Sequence, residues 1–152
     1  VFLLDLDMRS PSVLDYVGVH PPKSLAGYFS ENLPADQVLF STSIENLVIG
    51  GNREPVSNAS ELLATPKLEL LLAHIRRRAP NALIILDLPP VMSTDEALVV
   101  APRTDAMFVV VSEGRTRRDA LKRAIDLLGD FTVAGTVLNR SGEDVGGDYY
   151  GY

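Results

Sequence analysis

Two short apolar runs in this chain end in carboxylates. Asn81-Ala82-Leu83-Ile84-Ile85-Leu86-Asp87-Leu88-Pro89-Pro90 carries a strand-forming stretch into an acidic turn, and Val1-Phe2-Leu3-Leu4-Asp5-Leu6-Asp7 repeats the design. A buried strand that closes on a carboxylate delivers negative charge to the carboxyl edge of a parallel sheet, where open α/β sheets bind phosphate ligands and Mg²⁺. Phosphoryl transfer needs a cradle for the phosphates, a held Mg²⁺ and a group that orients or deprotonates the nucleophile. Asp5, Asp7 and Asp87 suit the last two tasks. Asp87 would hold Mg²⁺ directly or through water, while Asp5 or Asp7 would ligate the metal or accept a proton from an attacking hydroxyl. One strand-end Asp by itself is more often a helix cap or a strand terminator; two such strands in one chain favour the nucleotide site.

The phosphate cradle is a different matter. No Gly-x-x-x-x-Gly-Lys-Ser/Thr occurs, and Gly50-Gly51-Asn52-Arg53 lacks the Lys and hydroxyl that a P-loop uses. Asn139, after the run 133–138, could meet an adenine edge through its two-faced amide or could simply turn the chain. Arg76, Arg77 and Arg78 fall at a helix end, where they complement the helix dipole. Arg115, Arg117 and Arg118 open a helix, where the dipole disfavours cations, so an anionic partner or a neighbouring subunit is the functional alternative there. His20 and His74 have no acidic partner at metal-ligand spacing and read as structural or surface residues.

Positioning these residues requires alternating strands and helices. Strands are expected at 1–6, 38–41, 47–49, 83–86, 106–111 and 133–138, rich in Val, Ile and Leu in the manner of parallel strands. Helices are expected at 12–17, 24–30, 59–78, 95–100 and 116–128, the third breaking at Thr65-Pro66 because proline suits a helix start and not an interior. The pattern predicts a doubly wound, mostly parallel α/β sheet. Residues 1–140 read as one domain and 141–152 as a flexible Gly- and Asp-rich tail, which holds three of the chain's five tyrosines in its last four residues.

Composition sets the outer bounds. A hydrophobic content of 46% over 152 residues suffices for an ordinary core. A formal charge of −6 argues against general nucleic-acid binding, which rests on surplus Lys and Arg. The absence of cysteine removes disulfides and thiolate metal sites. The apolar runs fall well short of the roughly 20 residues that span a bilayer. Because the chain opens in mid-strand without Met, it reads as a fragment whose amino-terminal part has been cut away; either a P-loop lay upstream, or this chain cannot bind ATP by itself.

Taken together, the segments resemble a known family. Asp5-Leu6-Asp7-Met8-Arg9-Ser10-Pro11-Ser12 is similar to the Walker A′ segment of bacterial tyrosine kinases (BY-kinases), and Asp87-Leu88-Pro89-Pro90 to their Walker B segment, with Leu88 where many members carry Thr or Ser. Gly50-Gly51-Asn52-Arg53 with Asn58-Ala59-Ser60-Glu61-Leu62-Leu63-Ala64, then Thr94-Asp95-Glu96-Ala97-Leu98 and Gly135-Thr136-Val137-Leu138-Asn139-Arg140, follow in the family's order. The resemblance spans nearly the whole chain and looks nearest to the exopolysaccharide-locus autokinases found with exosortase systems. It implies a P-loop NTPase-like fold of the deviant Walker type, with ATP and Mg²⁺ as cofactors. It also implies Asp5 and Asp7 as catalytic residues, Asp87 and Asp5 at the metal, and Arg9, Asn139 and Arg140 at the nucleotide. Tyr149, Tyr150 and Tyr152 would be phosphorylated between neighbouring subunits. The implied partners are a transmembrane polysaccharide co-polymerase acting as chain-length regulator, further copies of the chain and a cognate tyrosine phosphatase. The implied location is the cytoplasm, against the inner membrane through that partner. Two alternatives stay open: a deviant-Walker ATPase that positions division or partition machinery, and a non-catalytic assembly partner that keeps the fold alone.

Overall fold

The computed structural model describes residues 1–141. The chain forms two compact units, Val1–Arg103 and a second that begins at Thr104. In the first, β1 (Phe2–Asp5), β3 (Val48–Gly50) and β4 (Ile84–Asp87) run parallel, and β2 (Phe40–Ser41) is added at one edge, giving the order β2-β3-β1-β4. All three parallel strands fall where the apolar runs place them. β2 differs from expectation, since it pairs antiparallel with β3. Its connection is a short turn stitched by Thr42, whose N–H donates to the Leu47 carbonyl and whose hydroxyl accepts from the Ile44 N–H. A parallel pair needs a crossover of a dozen or more residues, so a link this short permits only the antiparallel ladder.

Five helices accompany this sheet: α1 (Val13–Val17), α2 (Leu25–Ser30), α3 (Ala59–Leu63), α4 (Lys67–Arg78) and α5 (Glu96–Val100). The break between α3 and α4 falls at Thr65-Pro66, where the Thr65 hydroxyl donates to the Leu62 carbonyl at 2.7 Å and Pro66 begins the next helix. Along α4, Leu68, Leu71, Leu72 and Ile75 recur at helical spacing and are all buried, packing with Leu4, Leu6, Phe29, Leu63 and Val100 into the core. This core anchors β1, and with it the acidic strand end.

The second unit is a βαβ arrangement: β5 (Met107–Ser112), α6 (Arg118–Leu127) and β6 (Val133–Asn139), with β5 and β6 parallel. Among the described residues, six strands lie in a four-stranded and a two-stranded sheet. Among the described residues no helix is long and apolar enough to cross a membrane. Tyr149, Tyr150 and Tyr152 lie outside the described residues.

Candidate functional site

Parallel pairing of β1 with β4 sets Asp5 directly beside Asp87 in register, and the Leu6 N–H donates to the Asp87 carbonyl at 2.8 Å just beyond the pair. Neighbouring strands lie about 4.8 Å apart, so two carboxylates share one end of the sheet. Asp7 follows two residues later, in a turn closed by the Ser10 N–H donating to its Oδ1 at 3.0 Å. The three acidic residues singled out in the sequence are thus brought to one sheet end.

Their environments differ. Asp5 is fully buried. Its Oδ2 accepts from the Ser12 N–H at 3.1 Å and the Val13 N–H at 3.0 Å, so it satisfies the start of α1 from a distance. That is the helix-capping role a strand-end Asp is expected to play, but it occupies only one oxygen. Oδ1 is buried with no hydrogen-bond partner. Burial pushes the Asp5 carboxyl above the ordinary carboxylate range; the two amide bonds oppose the shift, and the charges of Asp87 and Asp7 add to it. Asp87 keeps an exposed side chain although protein crowds it, and its carboxyl is also raised, by partial desolvation first and by Asp7 second. Asp7 is half-buried.

Crowded carboxylates with an orphaned buried oxygen are a donor set short of a cation. Among the described residues no three acidic or histidine side chains form a ready metal cage. Mg²⁺ does not need one, because it is usually bound by one or two carboxylates, with substrate phosphates and water completing its octahedron. Asp5 Oδ1 and Asp87 fit that use.

The glycine turn packs directly under Asp5. A Cβ on Gly51 would lie 3.0 Å from Leu14 Cγ and 3.3 Å from Asp5 Cβ, so any other residue needs the turn or Leu14 to give by a few tenths of an ångström. The Gly51 carbonyl accepts from the Leu25 N–H at 2.8 Å, and Asn52 Oδ1 accepts from the Ala26 N–H at 2.7 Å, which ties α2 to the turn. Asn52 is buried, and its Nδ2 has no partner.

Arg9 is engaged within the protein: its Nε donates to Glu96 Oε1 at 2.6 Å, and the pair spans the segment after β1 and the first turn of α5. Glu96 is sealed from solvent, and its Oε2 has no hydrogen-bond partner. Burial alone would raise its carboxyl, but the nearby Thr94 hydroxyl, the Arg9 guanidinium and its own backbone amide hold it below the usual range. No hydrogen bond joins Thr94 to it; the Thr94 hydroxyl is itself unpartnered, so the Arg9 bond is the secure contact. Sequence reasoning missed Glu96 and Asn52 as site-building residues. An acidic residue in a first helical turn reads as an exposed dipole partner, and only burial reveals otherwise.

The remaining candidates belong to other elements. In the second unit, Asn139 Oδ1 accepts from the Arg140 N–H at 2.7 Å, and Arg140 adopts a left-handed backbone with φ 56°. Asn139 thus closes its own turn at the end of β6 through one amide oxygen. His74 and Arg78 both contact Asp36, and Arg117 and Arg123 flank Asp119, so these cations serve local ion pairs.

Comparison with known proteins gives the geometry a context. No protein-family model matches the chain. It is similar to the tyrosine-protein kinase CpsD of Streptococcus agalactiae, 25% identical over 156 residues, covering 99% of this chain and 67% of the relative. It is also similar to the putative tyrosine-protein kinase EpsB of Ralstonia solanacearum, 26% identical over 141 residues, covering 91% of this chain and 18% of the relative. The chain thus spans about two thirds of one curated relative and less than a fifth of the other. Among solved structures, the kinase domain of the Escherichia coli tyrosine kinase ETK superposes with a TM-score of 0.85 at 21% identity, over 99% of this chain and 60% of that one. The VpsO kinase domain gives 0.82 at 23%, over 91% and 69%. The septum site-determining protein MinD of Pyrococcus horikoshii, complexed with Mg-ADP, gives 0.71 at 18%, over 93% and 58%. These superpositions show a mostly parallel α/β fold shared with the kinase domains of ETK and VpsO and with MinD, and the curated relatives that match nearly the whole length of this chain are named as tyrosine-protein kinases.

Proposed function

We propose that the chain is the catalytic part of an ATP-dependent protein-tyrosine autokinase that regulates exopolysaccharide synthesis and export. The observation that carries this reading is the in-register pair Asp5–Asp87 with Asp7 in electrostatic reach of both. Relatives named as tyrosine kinases support it. Asp87 and the free Oδ1 of Asp5 are the groups that would hold Mg²⁺, whose charge, when bound with ATP, offsets that of the phosphates.

The two flanking carboxylates divide the remaining work by exposure. Asp5 is buried, spends Oδ2 on α1 and leaves Oδ1 for the metal, which makes it the less suited of the two to meet an incoming phenol. Asp7, half-buried in its turn, is the better suited. In this reading Asp7 takes the tyrosine proton as the phenol oxygen attacks. The acceptors are Tyr149, Tyr150 and Tyr152 of a neighbouring copy. A transmembrane co-polymerase partner at the inner membrane and a cognate phosphatase complete the proposed system.

A positioning ATPase is the second reading, favoured by the 0.71 superposition on MinD. Superfolds host many activities, so the site must decide. In the full-length protein, Asp7→Asn is expected to abolish autophosphorylation on tyrosine at unchanged folding. Wild-type phosphotyrosine in that variant would remove Asp7 as base, and absence of phosphotyrosine in the wild type alongside ATP hydrolysis would favour the positioning ATPase.

A further inference from the structure

We propose that Glu96 is a positioning residue that clamps Arg9 through Nε, so that the two terminal nitrogens of the guanidinium are held ready for a phosphate group near Asp7. The clamp stands on geometry; the phosphate rests on the kinase reading above. Arg9 donates to Glu96 Oε1 from Nε alone, and no acceptor among the described residues meets its terminal nitrogens. The Arg9 side chain is 45% exposed and that of Glu96 1%.

That arrangement is not the one an ion pair adopts when stability is its only use. Arginine and a carboxylate usually pair by a two-pronged fork, which satisfies both carboxylate oxygens. Here the second bond is forgone. Oε2 of Glu96 is left buried without a partner, while the forked end of Arg9 stays in water. A buried unpartnered carboxylate oxygen is costly, and the fork it gives up is the part of arginine that recognises phosphate. The pair also bridges two acidic segments: Arg9 lies two residues after Asp7, and Glu96 nine residues after Asp87. Asp7 and Asp95 are both close enough to act on the Arg9 charge. Fixing Arg9 at Nε thus sets a cation among carboxylates that would otherwise repel an anionic ligand, and ordering it before binding lowers the entropy lost on binding.

The test uses the full-length protein with inorganic pyrophosphate as the probe. First, nuclear magnetic resonance without any ligand should show the Arg9 Nε–H protected from solvent exchange, with protection lost in Glu96→Gln. Second, calorimetry should show pyrophosphate binding weakened by about tenfold in Arg9→Ala, roughly the loss of one good charge-assisted contact, and severalfold in Glu96→Gln. Combining the two should weaken binding no further than Arg9→Ala alone, because Glu96 acts through Arg9. Arg9→Lys, at a half-exposed position that tolerates the change, keeps the charge but loses Nε–H and should resemble Glu96→Gln. Unprotected Nε–H in the wild type, wild-type affinity in Glu96→Gln, or additive losses in the double variant would each overturn the proposal. Failure of the wild type to bind pyrophosphate would overturn it too, whereas binding without tyrosine phosphorylation would sink the kinase reading and leave the clamp standing.

Discussion

Replacing Gly51 by alanine tests whether the turn beneath Asp5 is built to the tolerance described. The new methyl carbon would sit 3.0 Å from Leu14 Cγ, 3.3 Å from Asp5 Cβ and 3.4 Å from Leu14 Cδ1. The two nearest, Leu14 Cγ and Asp5 Cβ, are not side-chain tips. Leu14 is a buried branch point in α1, and Asp5 Cβ is attached to a central strand, so relief requires α1 or the turn to retreat by a few tenths of an ångström. Overpacking of this kind costs about 1–3 kcal/mol, and for a chain of this size each kcal/mol lowers the melting temperature by roughly 2–4 °C. A drop of about 2–12 °C is the expected result. The retreat should also stretch the bonds from Ser12 N–H and Val13 N–H to Asp5 Oδ2, so amide exchange at these two positions should accelerate more than at the Leu71 or Ile75 amides in α4. Gly18→Ala provides the contrast. Gly18 has φ 68° and open space around its Cβ position, so its cost is backbone strain of about 1–2 kcal/mol, with Ser12 and Val13 protection retained. If Gly51→Ala melts with the wild type and leaves both amides protected, the turn is looser than drawn and Asp5 is not held by it.

The other expectations follow from the same residues. Asp5→Asn should stabilise the protein at neutral pH, because a carboxyl whose folded value is raised is penalised once ionised. The advantage over wild type should shrink as pH falls through the raised value toward 3.8, and equal melting curves at pH 7 would contradict it. Replacing Tyr149, Tyr150 and Tyr152 together by Phe should remove most phosphotyrosine while leaving ATP hydrolysis by the full-length kinase nearly unchanged. Tyr28 should stay unmodified, since its hydroxyl donates to the Lys67 carbonyl; Tyr16 is 87% exposed, so strong residual phosphotyrosine there would count against the tail as substrate.

Much of the architecture was legible in the sequence because it rests on local pattern. Apolar runs bounded by turn residues gave every strand a place, and Pro66 marked the helix break. The direction of β2 depends on connection length, which the pattern of Phe40–Ser41 does not record. The gathering of Asp5, Asp7 and Asp87 was legible because strand ends in a parallel sheet converge; the division of labour between the two oxygens of Asp5 was not. It is set by where α1 begins in space, and no residue type in 12–17 announces that its first amides will turn back to β1.

Glu96 shows the same boundary from the other side. In sequence it is one of two consecutive acidic residues opening a helix, and the dipole rule explains both equally well. In space they part: Asp95 accepts from the Ser60 hydroxyl in an exposed contact, and Glu96 is enclosed against Arg9. Successive residues at a helix start point about 100° apart, so Asp95 meets Ser60 of α3 while Glu96 turns toward Arg9. Charged residues are almost never fully buried unless paired. The sequence distance of 87 between Arg9 and Glu96 hides the partner that makes the burial tolerable. Residues that bind can be sought by type and motif; residues that hold the binders in place reveal themselves only when burial and bonding are seen together.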